Sequence, residues 1–289
     1  MTEARSAPTV LQIVLGRRLA ALRDAAGMTA AAAGVAIRAA ATTVTRMEKA
    51  ETALHFAKVK LLLEAYGVTE SEKEEFLDLL DKARDPGWWQ SFRDVLPNWF
   101  GVHVSLETAA THIRSYEPAV VPGLLQTADY ARAVLDRGLP RMDPDVRERR
   151  VRFRTKRQEL LTRSDPAPPQ LWVIVDETCL RRPVGNSELM AAQLSYLLEM
   201  ADLPNVSLQV CPLDKGLHPG GFGPFTIFRF EIPELPDVVC IDTLSRAAYS
   251  EEKDEVALFR EALDQMSVYA LSRDATKEFI GDIRKELYL

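Results

Sequence analysis

Cysteine is scarce in this chain. The three present, Cys179, Cys211 and Cys240, are far apart and odd in number. That set predicts no disulfide framework, and none of the three stands at metal-ligand spacing, so no metal centre is expected. Long apolar runs are missing as well. None reaches the roughly 20 residues a membrane-spanning helix requires, and the first residues carry no signal-peptide core. The expectation is a soluble, cytoplasmic protein without a membrane partner. A strong charge of one sign is also lacking: 36 Lys and Arg face 42 Asp and Glu, a formal net of −6. This excludes a protein that coats nucleic acid along its whole surface, but leaves room for a local basic patch. No internal repeat is visible.

What is there suffices for two cores. The 289 residues exceed what one hydrophobic core usually serves, and 47% of them are apolar. The charge is unevenly spread. Residues 1–69 hold nine basic and five acidic side chains, and residues 141–163 hold nine and four. Two basic segments on an acidic background raise the expectation of anionic partners.

Residues 1–12 read as a flexible polar tail. Residues 13–84 read as an all-α domain of five short helices. In the first, from about Gln12 to Ala26, Leu15, Leu19, Leu22 and Ala26 recur at helical spacing, and Gly27 supplies the stop. Thr29 can cap a second helix reaching Ile37. A third runs from about Ala40 to Lys49 and a fourth from Phe56 to Tyr66. Ser71 and Glu74 have capping-box spacing for a fifth. Asp85-Pro86-Gly87 breaks the pattern and opens an aromatic-rich connector over 85–101, with Trp88, Trp89, Phe92, Trp99 and Phe100. Only Arg93 interleaves these rings, so packing onto the second domain is favoured over base stacking.

The remainder, 102–289, reads as a regulatory domain that binds a ligand or partner. Residues 102–165 look helical. Asp143-Pro144 starts a helix whose apolar seam, Val146, Phe153 and Leu160, is otherwise surrounded by arginine and lysine. Arg147, Arg150, Arg154 and Arg157 on it are candidates for an acidic partner, against a plain solvated face or a second DNA contact. Residues 170–289 mix strands and helices. "LWVIVD", "VSLQVC", "FTIFRF" and "VVCID" are strand-like runs, giving an α+β or α/β domain with a sheet of about four strands.

Helices two and three fit a helix-turn-helix, in which the second helix enters the DNA major groove. "TTVTRMEKA" turns Val44 and Met47 inward. It leaves Thr42, Thr43, Thr45 and Arg46 outward, where short polar or long basic side chains reach phosphates and bases. Thr29, Arg38, Lys49 and Arg17 complete the candidate DNA contacts. "LGRRLAALRDAAGMT", "TVTRMEKA" and "LLLEAYGV" resemble the phage-repressor-like (XRE-type) regulators. The resemblance implies glutamines at the start of both helices, a capping carboxylate in helix two and a glycine in the turn. This chain has Ala30, Ala41, Ala32 and Arg38 there, and Gly34 inside helix two.

Further motifs, "GWWQSF", "LETAATHIRSYEPAVVPGLLQTADYARAVL", "RRVRFRTKRQELL", "DETCLRRPVG" and "HPGGFGPFTIF", resemble the actinobacterial WhiJ-type, or Scr-type, antitoxin-like transcriptional regulators. That resemblance implies control of development or antibiotic production, and a small acidic partner protein encoded nearby. The expected function is a DNA-binding transcriptional regulator that docks on double-stranded DNA as a homodimer. The alternatives are an interaction protein that neutralises its partner, and a cryptic hydrolase built on Cys179 and His218. No catalytic signature supports the last, and the chain is expected not to be an enzyme. "HPGGFG" lacks the Gly-Lys-Ser/Thr of a phosphate loop and precedes a strand, so no cofactor is expected. Glu177, Arg181, Arg182 and His218, in loops by strand ends, are candidates for a small-molecule ligand.

Overall fold

The computed structural model describes residues 9–83, 87–97, 99–232, 235–243 and 246–288. They form two compact units. The first comprises described residues of Met1–Arg93, Asn98–Ala109 and Ile232–Leu235; the second comprises those of Asp94–Pro97, Ala110–Glu231 and Pro236–Leu289.

The first unit is built from α1 (Val10–Ala25), α2 (Ala30–Ala36), α3 (Ala41–Glu48), α4 (Phe56–Ala65), α5 (Glu70–Lys82) and α6 (Phe100–Ala109). The tail reading fails from Thr9 onward. Thr9 caps α1 in a capping box with Gln12, at 3.3 Å from the Gln12 amide and with 3.1 Å for the return bond. The Val10 amide then donates to Ser105 Oγ on α6 at 2.6 Å. Residues 1–8 of that tail, and the Asp85-Pro86 break, lie outside the described residues. The cap of α5 is Thr69 with Glu72, two residues before the expected Ser71 and Glu74, which are both exposed. Thr69-Glu70-Ser71-Glu72 satisfies the same Ser/Thr-x-x-Glu rule, and the helix it starts buries Phe76 and Leu80 in the core. Leu15, Leu19, Val44, Met47, Leu62, Leu63 and Phe76 form that core. Trp88 to Phe92 make a short 3-10 turn in this same unit, with Trp89 buried and Trp88 edge-on to both Trp89 and Phe92.

The second unit is α+β, with six strands where about four were expected: β1 (His112–Glu117), β2 (Gln170–Asp176), β3 (Val206–Cys211), β4 (Phe225–Arg229), β5 (Val238–Asp242) and β6 (Ala247–Ser250). Their order is β3-β2-β1-β4-β5-β6. β1, β2 and β3 are parallel, and β4, β5 and β6 continue antiparallel. Two strands escaped the sequence reading. β1 sits in a stretch expected to be helical, because "HIRSYE" has no clean alternation: Ser115 is buried beside Tyr116. β6 is a short edge strand with no buried residue, so it carries no apolar signal.

The helices of this unit are α7 (Ala128–Gly138), α8 (Pro144–Gln158), α9 (Thr178–Arg181), α10 (Ser187–Met200), α11 (Lys253–Tyr269) and α12 (Arg273–Tyr288). Tyr116, Ile174, Phe225, Ile227 and Val239 meet Val256, Leu263 and Met266 of α11 on one face of the sheet. The alternate residues Ile113, Val173, Val175, Leu208 and Val210 are buried on the other. β3 lies at the sheet edge, and its outer backbone is not left open. Leu271 donates to the Val210 carbonyl at 2.8 Å, and Thr276 Oγ1 accepts from the Val210 amide at 3.1 Å. Such cover removes a template for aggregation.

Candidate nucleic-acid interface

The α2–turn–α3 segment is shaped by three local facts. Thr29 caps α2, its hydroxyl accepting from the Ala32 amide at 3.1 Å. Gly34, a loss of about 1 kcal/mol by helix propensity alone, is required by the turn: a Cβ there would lie 2.5 Å from the Ala39 carbonyl oxygen. Arg38, where the resemblance implies glycine, has φ +52°. The left-handed conformation costs a non-glycine residue about 1–2 kcal/mol, and it turns the chain sharply into α3.

α3 is held from behind. Val44 and Met47 are fully buried. At Gly16 of α1 a Cβ would stand 2.4 Å from the Glu48 carbonyl oxygen, so the two helices touch backbone to backbone. The Glu48 carboxylate is itself buried and takes both arms of Arg23, from Nε at 2.7 Å and from the terminal nitrogen at 3.1 Å. Arg23 also donates to the Met28 carbonyl at 2.9 Å. The hydrogen bond to Glu48 is the main force raising the Arg23 pKa, against desolvation. The sequence reading missed this pair. Its one available signal was that Glu48 shares a helix face with Val44 and Met47.

The opposite stripe of α3 faces solvent. Thr42, Arg46 and Lys49 are exposed at spacings of four and three. Arg46 stands 3.9 Å from Glu51, a loose exposed pair that leaves the guanidinium available to an anion. Thr43 and Thr45 are half-buried, and the Thr45 hydroxyl donates to the Ala41 carbonyl at 3.2 Å. Arg38 is exposed and Arg17 half-buried on α1. Ala30 and Ala41, at the helix starts, are half-buried.

In the second unit, the predicted partner-binding arginines of α8 have partners close at hand. Arg147 lies 2.6 Å from Asp136. Arg150 donates to the Val95 carbonyl. Arg154 donates to Gln126 Oε1 at 2.8 Å, and burial pulls its pKa down to about 10. Arg157 is buried with its guanidinium over the Phe153 ring. The expected seam is partly displaced: α8 buries Val151, Phe153 and Arg157, while Val146 is half-buried.

The predicted ligand residues divide. Glu177 is buried, pairs with Arg181, and accepts from the Leu213 amide at 2.9 Å. Arg182 is exposed. His218 is buried with its Nε2 3.7 Å from the Asp176 carboxylate, and its Nδ1 accepts from the Gly220 amide at 3.2 Å. Tyr116 donates to the same carboxylate at 3.5 Å. Tyr116 belongs to the unexpected strand β1, which is why this cluster was not legible. Cys179 donates to the Glu117 carbonyl at 3.1 Å, and burial raises its thiol pKa far above the ordinary value.

Glu117 and Asp242 end β1 and β5 at the same end of the sheet. Burial, with the Asp242 charge second, raises Glu117 to about 8 from an ordinary 4.5. The fold therefore holds the protonated form, and the unfolded chain loses that proton first. Stability from this group is complete below about pH 4.5 and is lost as the pH rises to about 8, at no more than about 1.4 kcal/mol per pH unit. Glu117→Gln keeps the neutral shape. Its stability advantage over the natural chain should widen from pH 5 to pH 8 in urea unfolding; a constant difference would show that Glu117 does not titrate in this way.

Among the described residues, no helix is long and apolar enough to cross a membrane. Residues 14–76 match a family model described as a helix-turn-helix domain, which supports a DNA-binding regulator. No curated protein and no solved structure matches the chain. Residues 100–282, more than half of the chain, match the model described as Domain of unknown function (DUF5753), and the protein therefore belongs to the DUF5753 family.

Proposed function

We propose that the protein is a cytoplasmic, homodimeric XRE-type transcriptional regulator that docks α3 in the major groove, holds DNA mainly through phosphates, and answers to signals through its second unit. One observation carries the reading. α3 presents Thr42, Arg46 and Lys49 outward from a buried Val44–Met47 face, while the helix starts are Ala30 and Ala41. Hydroxyls and cations grip phosphates; base readout needs the bidentate amides or guanidiniums that those alanines lack. Homodimerisation follows from the class, with paired recognition helices about 34 Å apart on one DNA face.

The test is a gel shift at low salt with the DNA upstream of the protein's own gene and an unrelated duplex of equal length. Both should shift, the first only modestly better, and Arg46→Ala should weaken both alike. No shift of either duplex would overturn the reading.

Two other readings have less support. A dock for a small acidic partner on α8 would have to compete for Arg147, Arg150 and Arg154 with the partners those side chains already have. A Cys–His hydrolase needs a thiolate, and burial keeps the Cys179 thiol protonated. We therefore read the second unit as a binding module without catalysis, of the antitoxin-like regulatory type.

A further inference from the structure

One cavity of the second unit has the dimensions of a small-molecule site. Its volume is about 430 Å³, within the roughly 300–1,000 Å³ of ligand pockets. None of the four predicted ligand residues lines it. Phe222, Pro224 and Phe225 form one wall, and Leu258 and Phe259 of α11 form the other; Glu261 is the single charged residue among those described around it.

The wall formed by residues 219–225 is anchored from below. A Cβ at Gly220 would lie 2.4 Å from the Tyr116 ring and 2.8 Å from Met266, so only glycine seats the loop on the core. His218 accepts from the Gly220 amide and stands edge-on to Tyr116, ring centroids 5.5 Å apart. Phe225 and Phe259 close the floor at 5.0 Å between centroids. The mouth is different. Phe222 is 94% exposed, apolar surface at the entrance to a preformed cavity.

Aromatic faces attract cations through their quadrupole, and the Glu261 carboxylate favours the same sign. An anion would find repulsion from both. We infer that this cavity binds a small hydrophobic cation, an aromatic amine or a comparable onium compound. The inference rests on the reading of the second unit as a binding module and names its site and ligand class.

The test uses the full chain and two fluorescent probes of opposite charge, cationic thioflavin T and anionic anilinonaphthalene sulfonate. Thioflavin T should saturate at one per chain and bind more tightly than the anionic dye. Ala262→Phe, which fills the cavity, should weaken it about tenfold or more, equivalent to 1.4 kcal/mol. Phe222→Ser should weaken it too, and so exposed a side chain carries no folding risk. Glu261→Gln should weaken thioflavin T and spare the anion. Equal binding of thioflavin T by the natural chain, Ala262→Phe and Phe222→Ser, with unchanged circular dichroism, would overturn the site. So would tighter binding of the anionic dye. Sedimentation showing that Phe222→Ser dissociates a dimer, with dye binding unaffected, would overturn it in favour of a contact between copies. Dye binding that follows these variants but leaves DNA affinity unchanged would refute regulation through the second unit and leave the site standing.

Discussion

Glu48→Ala should destabilise the first unit by about 3–5 kcal/mol and remove DNA binding with it. The reason is what the substitution leaves behind. The Arg23 side chain is only 15% exposed, and Glu48 receives two of its hydrogen bonds. Without the carboxylate, a guanidinium stays in a poorly solvated place with only the exposed Asp24 carboxylate as counter-charge. A loss of that size is a large fraction of the 5–15 kcal/mol that holds a typical domain together. It acts where α3 is fixed, because Glu48 is also the residue whose backbone touches Gly16. Replacing both partners, Arg23→Leu with Glu48→Leu, should restore most of the lost stability, since a buried ion pair seldom outperforms apolar residues of similar volume. Urea unfolding of the natural chain, Arg23→Leu, Glu48→Leu and the double variant, beside Glu48→Ala, decides this. A single-substitution loss below about 1 kcal/mol, the range of exposed pairs, would mean that packing alone holds the recognition helix.

The second large effect is salt. Arg17, Arg38, Arg46 and Lys49 supply four candidate phosphate contacts per protomer, hence eight in the proposed dimer. Each releases a condensed counterion on binding. Raising salt from 50 to 200 mM should then lower affinity by about 10⁴-fold. Arg46→Ala removes one contact per protomer and should reduce the slope of log affinity against log salt by about two. Fluorescence anisotropy at four salt concentrations measures both. A regulator that read bases through direct hydrogen bonds would show a shallower slope and a wide gap between specific and unrelated DNA. A slope near −4 would indicate that a single protomer binds.

Local chemistry was legible along the chain. Helices α2, α3 and α4 lie within a residue or two of their expected bounds, because caps, glycine stops and the 3.6-residue period are all sequence-local. Where local chemistry is ambiguous, the sequence admits more than one element boundary. Thr69 and Ser71 both had a carboxylate three residues on, and the fold uses the first. Strand β1 carries half-polar residues that a helix would also accept. Its identity is fixed by neighbours, β2 parallel on one side and β4 antiparallel on the other.

The sequence by itself determined the helix-turn-helix: an inward Val44 and Met47, an outward Thr42, Arg46 and Lys49, and alanines at the helix starts. These are spacing facts, set by the geometry of one helix. Tertiary structure alone decided the rest. It joined Arg23 to Glu48 across 25 residues of chain, gave the Gly34 turn its reason in the Ala39 carbonyl, and surrounded the α8 arginines with partners. It also brought Tyr116 and Asp176 against His218, at the start of the loop that walls the aromatic cavity. Such contacts arise from register and close packing between distant segments, and no local pattern of residue types encodes which distant side chain will fill the space beside another.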